Sequence, residues 1–473
     1  MTRSTRTGGT VAAFAAAASL IAGCTSASTQ ATSGGVSSSP AAPGDASQAT
    51  SGTTAPAKNV TIQYALWEDP QLPAYQACAD AFHAQNPNIT VKVTNTAWGQ
   101  YWQNLDTEMA AGTAPDVFAD SVSYYPDLVA NNQILDISSY VQRDGVDLGQ
   151  YRDGLADLWV KDGKRYGLPK DWDAVAMVYN TSMLSAAGVD PAALSDLTWN
   201  PTDGGTFGKL IAHLTVDANG VRGDQPGFNK SKIKTYGLVL DLDAGDSGQT
   251  SWGNLAESNG FQFLDKNPFG THYNYSDPSF VSTISWINDL QAEGYMPRYD
   301  QHSSLGTQAV LESGTAAIGL AGSWMADTYL TDAKQKFAYA PLPVGPAGRK
   351  TETNDLSDAI YAGSKHKEEA WAWVKFLASP QCQDIVASKA VVLPAVKTSS
   401  DKAMAAYEAK GEDLSVFSDE VSAPNGTFLL PLTDHAADIG EIVQNALDTV
   451  WLGQASPQSA MTKANDAVNA LFK

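Results

Sequence analysis

Tyr166-Gly-Leu-Pro-Lys-Asp-Trp-Asp-Ala-Val-Ala-Met-Val-Tyr-Asn180 is the stretch that decides the fold. Its second half, Ala174 to Tyr179, is a short apolar run bounded by polar residues, the signature of a strand buried on both faces. Asp171, Trp172 and Asp173 precede it, and this reading sets them at the mouth of the strand. An indole beside carboxylates suits a sugar ring, whose C–H face is apolar and whose rim is hydroxyls.

The surrounding chain repeats the theme. Val60–Trp67 reads as a strand ending in Glu68 and Asp69, and Pro73–Gln85 as a helix stopped by Asn86-Pro87. Ile89–Thr94 is a second strand. Trp98, Tyr101 and Trp102 open a helix to Ala111, and Ala114–Phe118 enters a third strand with Asp120 and Ser121 at its end. Strand–helix alternation of this kind predicts an open α/β sheet, and such sheets bind ligands beyond the carboxyl ends of their strands. Glu68, Asp69, Trp98, Tyr101, Asp120 and Asp171 to Asp173 all fall near such ends.

Further on, Tyr236–Leu242 reads as a strand that leads into Asp243-Ala-Gly-Asp-Ser-Gly-Gln-Thr-Ser-Trp252, a polar loop closed by an indole. Asp241, Asp243 and Asp246 lack the spacing, glycine and closing Glu of a calcium loop, so no metal is assigned. Ala316–Trp324 is a small-residue strand running into a Gly-Ser-Trp corner that leaves Trp324 over the strand end. Asn354–Tyr361 begins another strand, and Asp355 within it joins the candidate ligand contacts. Ile439–Leu452 and Ala460–Leu471 read as terminal helices.

At 473 residues the chain suits two domains, and 43% apolar residues with 12 Trp, 18 Tyr and 14 Phe can fill them. A net charge of −21 excludes nucleic acid and other polyanions as partners. There is no P-loop, G-x-G-x-x-G, G-x-S-x-G, H-E-x-x-H or C-x-x-C, so no catalytic motif or cofactor is assigned. Two carboxylates would suffice for glycoside hydrolysis, which keeps a membrane-anchored glycosidase as an alternative. A cell-surface adhesin is a third class, disfavoured because no repeats occur.

The N-terminus reads as an address. Arg3 and Arg6 precede the apolar run Thr10–Ala22, of secretory signal length. Its end, Ile21-Ala22-Gly23-Cys24, resembles a bacterial lipobox, which implies a signal peptide over 1–23 and lipidation of Cys24. Removal of 1–23 leaves 28 Lys and Arg against 51 Asp and Glu, a net −23. The following segment, to residue 58, is a Ser/Thr/Ala/Gly-rich tether with Asp45 as its only acid, reaching about 30 Å as a random coil.

Six segments in order, Phe82–Val91, Ala111–Phe118, Tyr166–Asn180, Gly319–Trp324, Tyr339–Pro346 and Ala370–Ser379, resemble the family 1 extracellular solute-binding proteins, the sugar receptors of ABC importers. The likeness runs from about residue 60 to 473. It implies two α/β lobes joined by crossing segments near 166–173 and 345–353, with a ligand cleft between them. Lobe 1 is expected over 59–168 plus 352–400, and lobe 2 over 169–351 plus 401–473. Position by position, the resemblance makes Asp173 a sugar-binding carboxylate, Trp324 a stacking indole, and Gln249 and Trp252 the second-lobe loop contacts. It places Tyr124 in a first-lobe polar loop and Asp434 near a C-terminal contact. Gln249 departs from the aromatic of the best-known member, so that member's sugar is not transferred. A monomer, a carbohydrate ligand and ABC permease subunits are the implied partners. Cys78 and Cys382 both fall in the implied first lobe of an exported protein, which makes them a candidate disulfide.

If Cys24 is the lipid anchor, Cys24→Ala moves the protein from the membrane fraction to the medium. Fractionation followed by immunoblotting reads this, and unchanged membrane retention would refute it.

Overall fold

The computed structural model describes residues 58–303, 305–332 and 334–473. The signal segment, Cys24 and the tether to residue 57 lie outside them.

The first strand, β1 (Val60–Leu66), forms because Ile62, Tyr64 and Leu66 alternate onto one buried face. Helix α1 (Leu72–Gln85) buries Tyr75, Cys78, Ala79 and Phe82 at helical spacing. Strand β2 (Ile89–Asn95) pairs in parallel with β1. Helix α2 (Trp98–Ala111) ends at Gly112, whose φ of 71° is the left-handed conformation a helix stop requires. Strand β3 (Val117–Ser121), buried throughout, lies on the other side of β1.

Strand β4 (Asp171–Asn180) is buried at all ten positions. After it come β5 (Ile233–Val239), β6 (Ala316–Gly322), β7 (Phe337–Ala340) and β8 (Thr351–Ile360). Among the described residues these belong to one 11-stranded sheet whose main path runs β2-β1-β3-β8-β4-β6-β5 to the short edge strand Val216–Asp217.

Two hydrophobic cores flank this path. One gathers β1, α1, α2 and β3 with the helices Lys367–Leu377 and Pro380–Lys389. The other gathers β5 and β6 with the helices Pro278–Ala292, Ala436–Trp451 and Pro457–Ala470. The molecule is therefore two-lobed, and β4 serves both lobes. Asp171 to Ala174 pair with β8, whereas Val175 to Tyr179 pair with β6.

The structure corrects the sequence reading at this strand. Asp171, Trp172 and Asp173 stand inside β4 rather than at its mouth, because ladder pairing to β8 fixes their backbone whatever their polarity. Strand β8 likewise starts at Thr351, so Asn354 and Asp355 are mid-strand. Helices Lys397–Ala409 and Ser415–Ser422 have no counterpart in the sequence reading.

Cys78 on α1 and Cys382 on the helix Pro380–Lys389 form a disulfide, with Cα atoms 5.3 Å apart. It closes a sequence separation of 304 residues inside one core. In the Cys24→Ala protein, thiol titration under denaturing, non-reducing conditions is expected to find no free thiol, and two would overturn the bridge. Reduction is expected to lower stability by about 2–4 kcal/mol, readable as a fall in Tm.

Candidate functional site

A cleft of ≈ 700 Å³ opens along the crossing strands. Its floor follows from register. Asp173 sits opposite Asn354, and Asp171 opposite Leu356, so all four side chains share one face and line the cleft. The intervening residues turn to the other face. There Trp172 donates its indole N–H to Ser400 Oγ at 3.0 Å, and Asp355 accepts from Trp159 Nε1. The guanidinium of Arg152 covers the Trp172 ring at 4.2 Å.

The first-lobe wall carries Trp67, Glu68, Gln71, Trp98, Ser121 and Tyr124. Trp98 is 47% exposed, and its ring is set edge-to-face against Trp67 at 5.1 Å and Tyr124 at 5.9 Å. Beneath it Trp102 and Tyr124 stack at 3.9 Å. The exposed indole is thus held by an aromatic bed instead of moving freely.

Trp324 forms the second-lobe wall together with the Asp241–Thr250 loop, Thr307 and Gln308. It follows β6 in the tight turn Ser323–Met325, and its ring folds back over Gly322. A Cβ on Gly322 would lie 1.9 Å from that ring, so only glycine permits this pose. Gly248, with φ 58°, makes the corresponding bend before Gln249. Gln249 Nε2 donates to Glu352 Oε1 at 2.8 Å, tying the loop to the start of β8.

The acids of the floor are strongly desolvated. Burial, then the neighbouring Glu352 carboxylate, pushes Asp173 well above the usual range. Burial raises Glu352 as well, while bonds from Gln249 and Asp173 hold it down. Burial of two neighbouring carboxyls disfavours ionising both, so Asp173 and Glu352 titrate as one unit that shares a proton. Burial pushes Asp171 up to about 7 despite Lys170. Burial, then the charges of Asp171 and Asp69, brings Glu68 to about 7. On the opposite wall, burial takes Asp246 to about 6.

Of the residues expected from the sequence, Glu68, Trp98, Tyr124, Asp171, Asp173, Gln249 and Trp324 line the cleft, and Trp172 borders it while its indole turns away to Ser400. The others lie elsewhere. Asp69 is exposed and accepts from Asn95 Nδ2. Tyr101 is a buried pillar under Trp67 whose hydroxyl donates to Ala119 O at 2.8 Å. Asp120 is fully buried, because β3 alternation gives the cleft face to Ser121. Trp252 packs in the second core at 5.0 Å from Phe280, and Asp434 is ion-paired with Lys161. Asp355 faces away for the register reason given above.

The sequence reading missed Ser121, Gln71, Asn354, Gln308 and the cleft role of Asp241, Asp243 and Asp246. The acidic loop follows the carboxyl end of β5, so the strand-end rule that found Glu68 could have found it. Nothing in the local sequence marks Asn354, whose place comes from pairing with Asp173.

Comparison with known proteins supplies the family context. The family model described as bacterial extracellular solute-binding protein matches residues 67–384. A putative binding protein of Brucella abortus (strain 2308) is 24% identical over 89% of this chain and 95% of its own length. The maltodextrin-binding protein MdxE of Bacillus subtilis is 22% identical over 82% of this chain and 84% of its own. An ABC substrate-binding protein from Listeria monocytogenes, solved in complex with cycloalternan, shares the fold with a TM-score of 0.76 at 20% identity. That match covers 87% of this chain and 98% of the other.

These carboxyl groups predict an inverted acid profile. A carboxyl whose folded pKa is raised contributes stability that is complete below the unfolded value near 4 and is lost as pH rises through the folded value. With Asp246 near 6, Glu68 and Asp171 near 7, and Glu257 and Glu420 near 8, Tm is expected to fall between about pH 5 and pH 8. Calorimetric scans across that range check it, and a Tm that rises to pH 8 would contradict it.

Proposed function

We propose that this chain, which belongs to the bacterial extracellular solute-binding protein family, captures a carbohydrate in its interlobe cleft and presents it to an ABC-type permease. The observation that carries this reading is the pairing of chemistries in one cleft. An exposed indole, Trp98, and a second, Trp324, stand on different walls over a floor of carboxyl and amide groups. Aromatic plates stack on the C–H faces of sugars, while carboxylates and amides accept and donate at the hydroxyl rim. The relative named for maltodextrin and the fold relative holding cycloalternan support the same ligand class.

On this reading lobe 1 comprises 59–168 plus 352–400, and lobe 2 comprises 169–351 plus 401–473. The receptor works as a monomer, anchored through lipidated Cys24 on the extracytoplasmic face, with the Cys24–Lys58 tether giving it reach. Ligand draws the lobes together about the two crossing strands. Asp171 is the hydroxyl acceptor of the floor. Asp173, sharing a proton with Glu352, positions the β4–β8 ribbon.

A thermal-shift screen against mono- and oligosaccharides identifies the sugar, since ligand at 100 Kd stabilises by about 2.7 kcal/mol. Trp324→Ala is then expected to lose about 2–3 kcal/mol of binding, roughly thirty- to a hundred-and-fiftyfold in Kd, with Tm little changed. Asp173→Asn is expected to be mild because it replaces a carboxyl that shares a proton by a neutral amide. Calorimetric titration beside melting curves tests both. Wild-type affinity in Trp324→Ala, or a stability collapse that accounts for the loss, would refute the site.

A further inference from the structure

We propose that the ligand is a cationic carbohydrate, a saccharide bearing at least one free amino group, whose ammonium is held by Asp171 and Glu68. This rests on the carbohydrate reading above and goes beyond it by naming the charge of the ligand.

The first observation is the composition of the lining. Glu68, Asp171, Asp173, Asp241, Asp243 and Asp246 all face the cleft, and no Lys, Arg or His side chain lines it among the described residues. Acidity alone would say little. The second observation is Asp171 itself, 3% exposed, whose Oδ2 has no hydrogen-bond partner although the residue lines the cleft floor. An unmatched buried acceptor costs on the order of 1–3 kcal/mol. A fold retains it where something else supplies the donor.

The neighbouring groups do not supply it. Lys170, the preceding residue, is turned into the first-lobe core. There its Nζ donates to Tyr64 Oη at 2.9 Å and to Asp358 Oδ1 at 3.4 Å, and lies 4.2 Å from the Tyr75 ring. Asp173 has Asn354 and Glu352, and Asp243 has the Tyr299 hydroxyl. Glu68 has no ion pair or hydrogen-bonded cation; Lys170 acts on it less than burial and the Asp171 charge, which disfavour its ionisation.

Closing two walls over a neutral sugar would leave Asp171 and Glu68 facing each other in a dry cavity with hydroxyl donors alone. An ammonium brings up to three N–H donors and a positive charge to the same place, and charge-assisted bonds are about twice as strong as neutral ones. The same lining repels phosphorylated and carboxylated sugars, and the net charge of −21 raises the local concentration of cationic solutes.

The test is calorimetric titration at pH 7 with matched series: glucosamine oligomers of two to four units, their N-acetylated forms, the corresponding cello-oligosaccharides, and maltooligosaccharides as a second neutral set. The glucosamine series is expected to bind at least about tenfold tighter than either matched partner. The advantage is expected to shrink as NaCl rises from about 0.02 to 0.5 M. Asp171→Asn and Glu68→Gln are each expected to bring the amine-to-neutral affinity ratio close to one. Glu68, being less buried, keeps the test readable if Asp171→Asn does not fold. Neutral sugars binding as tightly as the amines, or a ratio that survives both substitutions, would overturn the inference and leave the carbohydrate reading standing. Binding of no saccharide in any series would overturn both.

Discussion

The antiparallel pairing of Asp171–Ala174 with Thr353–Leu356 is the constraint on which the structure depends. It makes β4 a member of both lobes at once, since the same strand goes on to pair with β6 through Val175–Tyr179. Any rotation of one lobe on the other must be taken up as twist in a hydrogen-bonded ribbon, which resists shear and tolerates bending. Side-chain alternation then fixes the cleft floor. A slip of one residue would send Trp172 and Asp355 into the cleft and bury Asp171 and Asp173 behind it.

Placing acids on that ribbon has an electrostatic consequence. Asp171, Asp173, Glu352, Asp355 and Asp358 are all buried on β4 and β8, with Lys170 the buried cation among them. Most are satisfied locally. Asp355 takes the Trp159 N–H, Asp358 takes the Tyr64 hydroxyl at 2.7 Å, and Glu352 takes Gln249 and the shared proton of Asp173. These bonds hold together segments far apart in sequence, Tyr64 with 358 and Gln249 with 352. Structural acids and ligand-facing acids are thus separated by partner and position together. Asp355 also keeps one oxygen, Oδ1, without a partner, but on the face turned away from the cleft, so Asp171 is singled out by an open oxygen together with its place on the cleft floor.

The sequence carries the elements well and the facing of side chains poorly. The apolar run Ala174–Tyr179 announces a strand buried on both sides, and helical spacing of Tyr75, Ala79 and Phe82 announces α1. Strand ends locate Glu68, Trp98 and Trp324, because open sheets bind ligands there. The same rule misplaces Asp120 and Asp355. Each lies one residue from a cleft-facing position, and period 2 sends it to the other face; only the partner strand's register says which face is which. Trp252 fails for a related reason. Its loop does reach the cleft through Gln249 and Thr250, but helix Trp252–Ser258 begins at the indole and turns it into the second core. The helices Lys397–Ala409 and Ser415–Ser422 went unread because their apolar faces are narrow, so their positions come from packing on β4 and not from local pattern.

A folded chain ordinarily closes two accounts, covering its large apolar side chains and pairing its buried polar atoms. In this protein the cleft is a place where both stay open together. Among the described residues four large hydrophobic side chains are exposed, and two of them, Trp98 and Leu305, line the cleft. Asp171 Oδ2, an unpaired buried acceptor, lies on the floor of that cleft. The aromatic bed of Trp67, Trp102 and Tyr124 shows that Trp98 is exposed by construction, since edge-to-face contacts hold its ring where a rotamer change would otherwise hide it. A ligand with an apolar face and a donor-rich edge closes both accounts in one step. The crossing ribbon makes such closure possible, because the open acceptor belongs to a strand shared by both lobes.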